Sequence, residues 1–339
     1  MEGIDVLVLR TLANWRQKGH GGLLVTVIQT WGSSPRPVGA VMAICDNGQV
    51  VGSVSGGCIE DDLIRKYVHE AEWEDLHQAP PQLLKYGVSA EEAHQFGLPC
   101  GGTIELLLEH NPDANRLDQL VDSLDAGQLM VRTVNVYTGD VSLRSTSQPE
   151  VLAFDGEHLH VTFGPAYRMF LTGAGQLSEY LATMALFNGF EVTLCDPRVE
   201  HRSAWAVPKV KVVTGMPDDE LIAFNPDKRS CVIALSHDPK LDDLVLLEAL
   251  ESEAFYVGAI GSRRNAELRK QRMIEYLDQT PESMARLKSP IGIYIGSKTP
   301  SEIAVSIMAE VIAVKNNVNL TPEHNVQYVK DQSSDPTLN

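Results

Sequence analysis

The segment Phe170-Leu171-Thr172-Gly173-Ala174-Gly175-Gln176-Leu177-Ser178 runs an apolar strand into a glycine turn and then a helix, and Asp196 closes the next strand, Phe190 to Cys195. A turn of this kind gathers backbone N–H groups at a helix N-terminus and favours an anion there. Gly173 permits the sharp turn and Gly175 lets the backbone approach a ligand, while Ser178 holds the third fingerprint position, where Gly or Ala is usual. Asp196 follows 21 residues beyond Gly175, where a carboxylate can accept hydrogen bonds from a ribose diol. The pattern points to a nucleotide-like or phosphate-bearing ligand, with a purely structural tight turn as the alternative.

From Tyr167 onward, apolar strand runs alternate with helical periods, which predicts a parallel sheet with right-handed crossovers. The expected strands are 168–172, 190–195, 210–213, 230–235, 254–258 and 291–295. Thr299-Pro300-Ser301-Glu302 reads as a capping box with proline at the first helical position, opening a last helix through Ile303, Ile307, Val311 and Val314. The fold class is therefore α/β, with a Rossmann-like doubly wound parallel sheet in the C-terminal half. Ligands of such sheets bind outside the carboxyl ends of the strands. Those positions hold Asp196-Pro197-Arg198, Ser236-His237-Asp238, Gly261-Ser262-Arg263-Arg264 and Ser297-Lys298-Thr299. Ser262 reads as a helix cap. Arg263 and Arg264 fall in the first turn, where the helix dipole disfavours cations unless an anion is shared. Solvated surface arginines are the alternative, and His237-Asp238 reads either as an acid/base pair or as a structural cap.

The N-terminal half reads as mixed α+β. A helix over 4–18 precedes strands at Leu23 to Gln29, Ala40 to Cys45 and Gln49 to Val54, the last two joined by the turn Asp46-Asn47-Gly48. After Gly56-Gly57, the apolar positions Ile59, Leu63, Ile64, Tyr67, Val68 and Ala71 give one buried helical face against that sheet. A strand follows at Thr103 to Leu108, and residues 113–165 give one short helix and several weaker strands. The expected organisation is an N-terminal domain over 1–165, the Rossmann-like domain over 166–316 and a polar tail over 317–339.

A net charge of −17 leaves no electrostatic footprint for nucleic acid or an anionic membrane, so an anionic ligand must be held by local amides and a few arginines. No apolar run approaches the roughly 18 residues of a membrane span and no signal-like block opens the chain, which predicts a cytoplasmic protein. The five cysteines are widely spaced and form no CxxC pair, against a disulfide framework or structural zinc site. Cys195 and Cys231 sit in apolar strands and read as small buried hydrophobes. Cys58 sits on a glycine turn at a helix N-terminus, which favours thiolate, although Glu60, Asp61 and Asp62 oppose it. Cys100 lies on a similar loop, Pro99-Cys100-Gly101-Gly102. The loop Gly32 to Gly39, stiffened by Pro35 and Pro37, offers Arg36 beside hydroxyls, either for an anion or as a rigid connection.

Taken together, these segments resemble the XdhC/CoxI family of xanthine dehydrogenase accessory factors. Gly32 to Gly39, Gly52-Ser53-Val54-Ser55-Gly56-Gly57-Cys58-Ile59-Glu60 and Gly97-Leu98-Pro99-Cys100-Gly101-Gly102-Thr103 are similar to its N-terminal signatures. Gly173-Ala174-Gly175, Asp196-Pro197-Arg198, Tyr256 to Arg264 and Thr299 to Ile307 are similar to its C-terminal ones, so the likeness spans roughly residues 12–316. The resemblance implies a chaperone that binds the molybdenum cofactor, a molybdopterin in plain or cytidine-extended form. It implies support for cofactor sulfuration with a cysteine desulfurase, and insertion into an apo molybdenum hydroxylase of xanthine dehydrogenase or aldehyde oxidase type, the chaperone being a homodimer. Cys58 and Cys100 are then candidate thiolates toward the cofactor, Cys58 also toward its molybdenum. Arg36, Gly56, Gly57, Gly173, Gly175, Asp196, Arg198, Ser262, Arg263 and Arg264 are candidate cofactor-binding residues. Two further readings stay open: an NAD(P)-dependent oxidoreductase with His237 as proton donor, and a nucleotide-sensing regulatory module.

Overall fold

The computed structural model describes residues 3–32, 36–70, 79–87, 102–321 and 326. The chain forms two compact units, residues 2–166 and 167–339 apart from the first methionine.

In the N-terminal unit, α1 (Ile4–Gln17) buries Val8, Leu9, Leu12 and Ala13 along one stripe. The sheet it covers is antiparallel, in the order β3-β2-β1-β5-β4, with β1 (Gly22–Trp31), β2 (Val41–Cys45), β3 (Val50–Gly52), β4 (Gln82–Tyr86) and β5 (Thr103–His110). Both faces of the three central strands are buried, so β2, most of β1 and the middle of β5 are apolar, with side chains alternating between two cores, while the edge strands β3 and β4 are exposed or half-buried along most of their length. Leu24, Val41, Ala43 and Leu107 face α1 and α3 (Ala114–Asp125). Leu23, Val25, Met42, Ile44, Leu106 and Leu108 face α2 (Cys58–Ile64), which supplies Ile59 and Leu63 and runs on into a wider helical turn carrying Tyr67 and Val68. The expected apolar face is thus present as far as Val68, while Ala71 lies outside the described residues. A second antiparallel sheet, β7-β6-β9-β8, comprises β6 (Leu129–Asn135), β7 (Val141–Thr146), β8 (Ala153–Phe154) and β9 (His158–Phe163). Arg132 on β6 donates two hydrogen bonds, 2.9 and 2.7 Å, to Glu109 on β5. Both groups are buried, and this fork-to-fork geometry is what a buried ion pair needs to offset its desolvation.

The C-terminal unit is the parallel sheet its alternating pattern predicts. Its strands are β10 (Tyr167–Thr172), β11 (Phe190–Cys195), β12 (Lys211–Val213), β13 (Ser230–Ala234), β14 (Tyr256–Ala259) and β15 (Leu287–Lys288), and every pairing is parallel. Their lateral order, β12-β11-β10-β13-β14-β15, is the 3-2-1-4-5-6 arrangement of dinucleotide-binding folds, with its switch point between β10 and β13. One face packs against α4 (Gln176–Phe187) and α10 (Pro300–Lys315) through Met169, Leu171, Leu181, Ile307 and Val311. The other carries α6 (Pro217–Phe224), α7 (Pro239–Glu251) and α8 (Arg263–Tyr276), packed against Phe170, Val232 and Val257 through Leu221, Val245 and Met273. Short helices α5 (Val199–Arg202) and α9 (Pro281–Met284) fill connections. α10 begins as expected, with Thr299 and Glu302 closing a capping box.

The sixth strand is displaced from its expected place. It forms at 287–288, not 291–295, because α10 takes the amides of the later segment: Gly292 N donates to Glu310 at 2.7 Å and Ile293 N to Ser306 O at 3.3 Å. Most of the expected polar tail lies outside the described residues. Among the described residues, no helix is long and apolar enough to cross a membrane.

Candidate functional site

The loop leading into α2 is organised around one carboxylate. Glu60 Oε1 accepts from Ser53 Oγ (2.7 Å) and from the N–H groups of Val54 (2.8 Å), Ser55 (2.8 Å) and Gly56 (3.0 Å). Oε2 accepts from Gly57 N (2.8 Å) and from the Ser55 hydroxyl. Four consecutive amides thus converge on one point, an anion nest filled by the chain's own side chain. Burial works against the Glu60 charge, but the Ser55 hydroxyl and amide, the Ser53 hydroxyl and the Gly56 amide outweigh it and hold the carboxyl at about 2.

Cys58 is the first residue of α2, directly after this loop. Two of the three acids expected to oppose a thiolate there are occupied elsewhere. Glu60 faces the loop amides, and Asp62 receives Tyr86 Oη (2.7 Å), Lys66 Nζ (2.7 Å) and Arg65. Burial again opposes the Asp62 charge, and those three donors reverse it, holding the carboxyl below its usual range. Gly56 and Gly57, expected to contact a cofactor, spend their amides on Glu60. Cys100 lies outside the described residues. Arg36 comes to the same loop, its Nε donating to Ser53 O at 3.1 Å. It also lines a cavity of about 390 Å³ with Asp5, Gly39, Glu150 and Leu152. Burial pushes the Asp5 carboxyl up, against the pull of the Arg36 charge.

The second group surrounds the glycine turn at the switch point. Gly173 has φ +94°, and a Cβ added there would lie 2.5 Å from Ser236 Cα and 2.7 Å from Ser236 N. Only glycine lets β10 and β13 close at this point. At Gly175, the N-cap of α4, an added Cβ would meet nothing within 4 Å, so its surroundings are open. Ser178 is buried and its hydroxyl donates to Gly173 O, tying helix to turn. A serine at the third fingerprint position therefore supplies by hydrogen bonding what close packing supplies in a glycine.

Asp196 is fully buried and its carboxylate is committed within the protein. It accepts from Ala174 N (2.8 Å), Arg198 N (3.0 Å), Arg198 Nε (2.9 Å) and Arg198 Nη2 (2.9 Å). Burial would raise this carboxyl, and the Arg198 guanidinium together with the two amides holds it below the usual range. The turn, Asp196 and Arg198 are thus one hydrogen-bonded unit, with the acid fixing the turn from beneath.

Farther along the same carboxyl edge, His237 is exposed with φ +59°, and Asp238 caps α7 through Lys240 N at 3.0 Å. Ser262 caps α8 through Asn265 N at 3.2 Å, which places Arg263 and Arg264 in the first turn at the end of β14. Sequence reasoning missed the buried cluster beneath: Ser236 Oγ donates to Asp242 (2.6 Å), and Arg269 bridges Asp242 (3.3 Å) and Asp243 (3.1 Å). No motif spacing links α7 to α8, so nothing in the sequence signalled it. Cys195 and Cys231 are fully buried as expected, and burial pushes the Cys195 thiol up to about 12.

Fold and site together define a two-unit α/β protein: a Rossmann-type unit with its glycine turn at the switch point, and a mixed unit with a serine-glycine loop leading into a helix whose first residue is Cys58. The family description "XdhC and CoxI family" matches residues 15–86, and "XdhC Rossmann domain" matches residues 169–311. The chain belongs to the XdhC/CoxI family. It is 26% identical over 308 residues to the molybdenum cofactor insertion chaperone PaoD of Escherichia coli, covering 91% of this chain and 88% of that one. It is 25% identical over 323 residues to a probable xanthine dehydrogenase subunit of Bacillus subtilis, covering 87% and 94% respectively. A crystal structure described as a xanthine dehydrogenase from Bacillus halodurans superposes with a TM-score of 0.72 at 26% identity, over 95% of this chain and 99% of that one.

Proposed function

We propose that this chain is a cytoplasmic, homodimeric accessory protein that binds the molybdenum cofactor, supports its sulfuration with a cysteine desulfurase and inserts it into an apo molybdenum hydroxylase of the xanthine dehydrogenase or aldehyde oxidase type. The observation that carries this reading is the Glu60-centred loop, which fixes the backbone immediately before Cys58 in a chain alignable along most of its length with a molybdenum cofactor insertion chaperone. The cargo is a pyranopterin with a phosphate at one end and a dithiolene-held metal at the other. A thiolate suits the soft metal centre, and guanidinium groups and loop amides suit the phosphate. In this reading Cys58, with Cys100 as its counterpart, meets the metal end and Arg36 the anionic end. Gly175, Ser262, Arg263 and Arg264 serve a phosphate or the cytidine extension, while Asp196, closed by Arg198, holds the Gly173 turn in place beside them. Because the Gly56 and Gly57 amides are held by Glu60, their part is to position Cys58.

Cys58→Ala in the full chain is expected to weaken retention of molybdopterin by at least roughly tenfold, as loss of a metal-tuning contact does, read as pterin remaining after gel filtration. Unchanged retention together with unchanged activation of an apo hydroxylase removes the thiol from the mechanism.

A second reading, nucleotide binding by the C-terminal unit, is favoured by its strand order and the open surroundings of Gly175. Replacing Arg263 and Arg264 together by alanine is expected to lower affinity for CMP or NAD about tenfold or more, from lost charge-assisted hydrogen bonds of about 1.5–3 kcal/mol each, while circular dichroism stays unchanged. Equal affinity leaves Arg264 on the solvated surface and gives Arg263, whose Nε and Nη2 are buried, a structural part. Steady NADH turnover with a small carbonyl compound, lost in a His237→Ala variant, would favour the oxidoreductase form of this reading.

A further inference from the structure

His20, in the connection from α1 to β1, meets Cys45 at the end of β2 and Asp46 in the turn beyond it. One ring nitrogen, one sulfur and one carboxylate oxygen lie within 4.8 Å of one another. His20 Nδ1 is 3.1 Å from Asp46 Oδ1, and Cys45 Sγ is 3.3 Å from the same oxygen. Around a tetrahedral zinc ion, bonds of about 2.0–2.2 Å to nitrogen and oxygen and about 2.3 Å to sulfur set ligand-to-ligand edges of roughly 3.3–3.6 Å. The two edges that meet at Asp46 Oδ1 already stand near this spacing, and the third, from nitrogen to sulfur, is no longer than 4.8 Å, a gap that a small turn of the half-exposed imidazole closes.

We propose that His20, Cys45 and Asp46 form a binding site for a thiophilic divalent cation of the zinc class, with water in the fourth position. The backbone holds the ligands in place. Gly21 N donates to Asp46 Oδ2 at 2.7 Å and Asp46 N donates to Gly21 O at 3.1 Å, while Gly22 pairs with Cys45 across the sheet. The oxygen bound by Gly21 orients the carboxylate so that Oδ1 faces the histidine and the thiol, the supporting role that outer hydrogen bonds play at metal sites. Cys45 is fully buried, but the His20 and Asp46 side chains remain 43% and 29% exposed, which gives the ion a route from solvent. Binding replaces the Cys45 S–H proton, which passes to water, and the thiolate and carboxylate together balance the two positive charges. Arg16 is the opposing charge nearby; its guanidinium is held by His20 O (2.7 Å) and Asn111 Oδ1 (2.9 Å), and its counter-charges are Asp113 first and then Asp46 itself. The bound ion clips the start of β1 to the β2–β3 hairpin, independently of any pterin.

The test is a titration of the chelator-stripped full chain with Co²⁺. A thiolate-to-cobalt charge-transfer band saturating at one equivalent and displaced by Zn²⁺ is expected. Because His20 and Asp46 are partly exposed, His20→Ala and Asp46→Asn keep the fold, and each is expected to weaken binding by roughly 10–100-fold or more. Cys45→Ser removes the charge-transfer band, and Cys58→Ala leaves it in place. Absence of a one-equivalent band in the parent overturns the proposal, as does a band that survives both His20→Ala and Asp46→Asn or disappears with Cys58→Ala.

Discussion

Glu60→Ala is expected to lower the stability of the N-terminal unit by about 3 kcal/mol, an unsatisfied buried donor costing about 1–3 kcal/mol, and to abolish cofactor retention. The carboxylate accepts from four consecutive amides and two hydroxyls, and Glu60 and Ser55 are both buried. Alanine strands these donors together, so the loop reopens to reach water and the start of α2 loses its cap. The same contact has a pH signature. The folded carboxyl sits at about 2, below its ordinary 4.5, so its contribution is complete above pH 4.5 and is lost as pH falls from there toward 2. At about 1.4 kcal/mol for each tenfold change in proton affinity, that contribution is again about 3 kcal/mol. Acid unfolding followed by circular dichroism is therefore expected to show a steep loss over that interval in the parent and a flatter one in Glu60→Gln. Equal profiles would mean that the loop is held by something else.

Gly173→Val is expected to destabilise the C-terminal unit by about 3 kcal/mol or more, combining backbone strain at positive φ with overpacking, each of order 1–3 kcal/mol. The new Cβ would meet main-chain atoms of Ser236, which cannot rotate aside as a side chain could. For a unit of this size, that corresponds to a midpoint roughly 6–12 °C lower in thermal unfolding. Gly175→Ala is the control: its added methyl meets nothing, so near-parental stability is expected. A Gly173→Val protein melting with the parent would show that β10 and β13 do not close as described.

The strand, turn and helix around Gly173 could be read from the sequence because they depend on local patterning: an apolar run, two glycines and a helical period. The capping box at Thr299 is local in the same sense. The strand placed at 291–295 failed for a non-local reason, since the apolar residues there are genuine but Ser306 and Glu310 on α10 compete for their amides. Glu60 was legible only in part. Its spacing from Gly57 is that of a capping box, yet the convergence of four amides depends on how the Ser53–Gly57 turn folds. Asp196 had the right spacing for a ribose partner, but sequence offered no sign that Arg198, two residues away, would fold back onto it. The His20, Cys45 and Asp46 cluster escaped because its ligands come from two separated segments that only the pairing of β1 with β2 brings together.

The most direct test is to express the full chain in a host that makes the cofactor, purify it, and identify the released pterins, metals and nucleotides by mass spectrometry. Near-stoichiometric molybdopterin, falling sharply in Glu60→Ala and Cys58→Ala, is the expected result. A parent protein that emerges with nucleotide but no pterin, and takes up none on incubation with free cofactor, would contradict it.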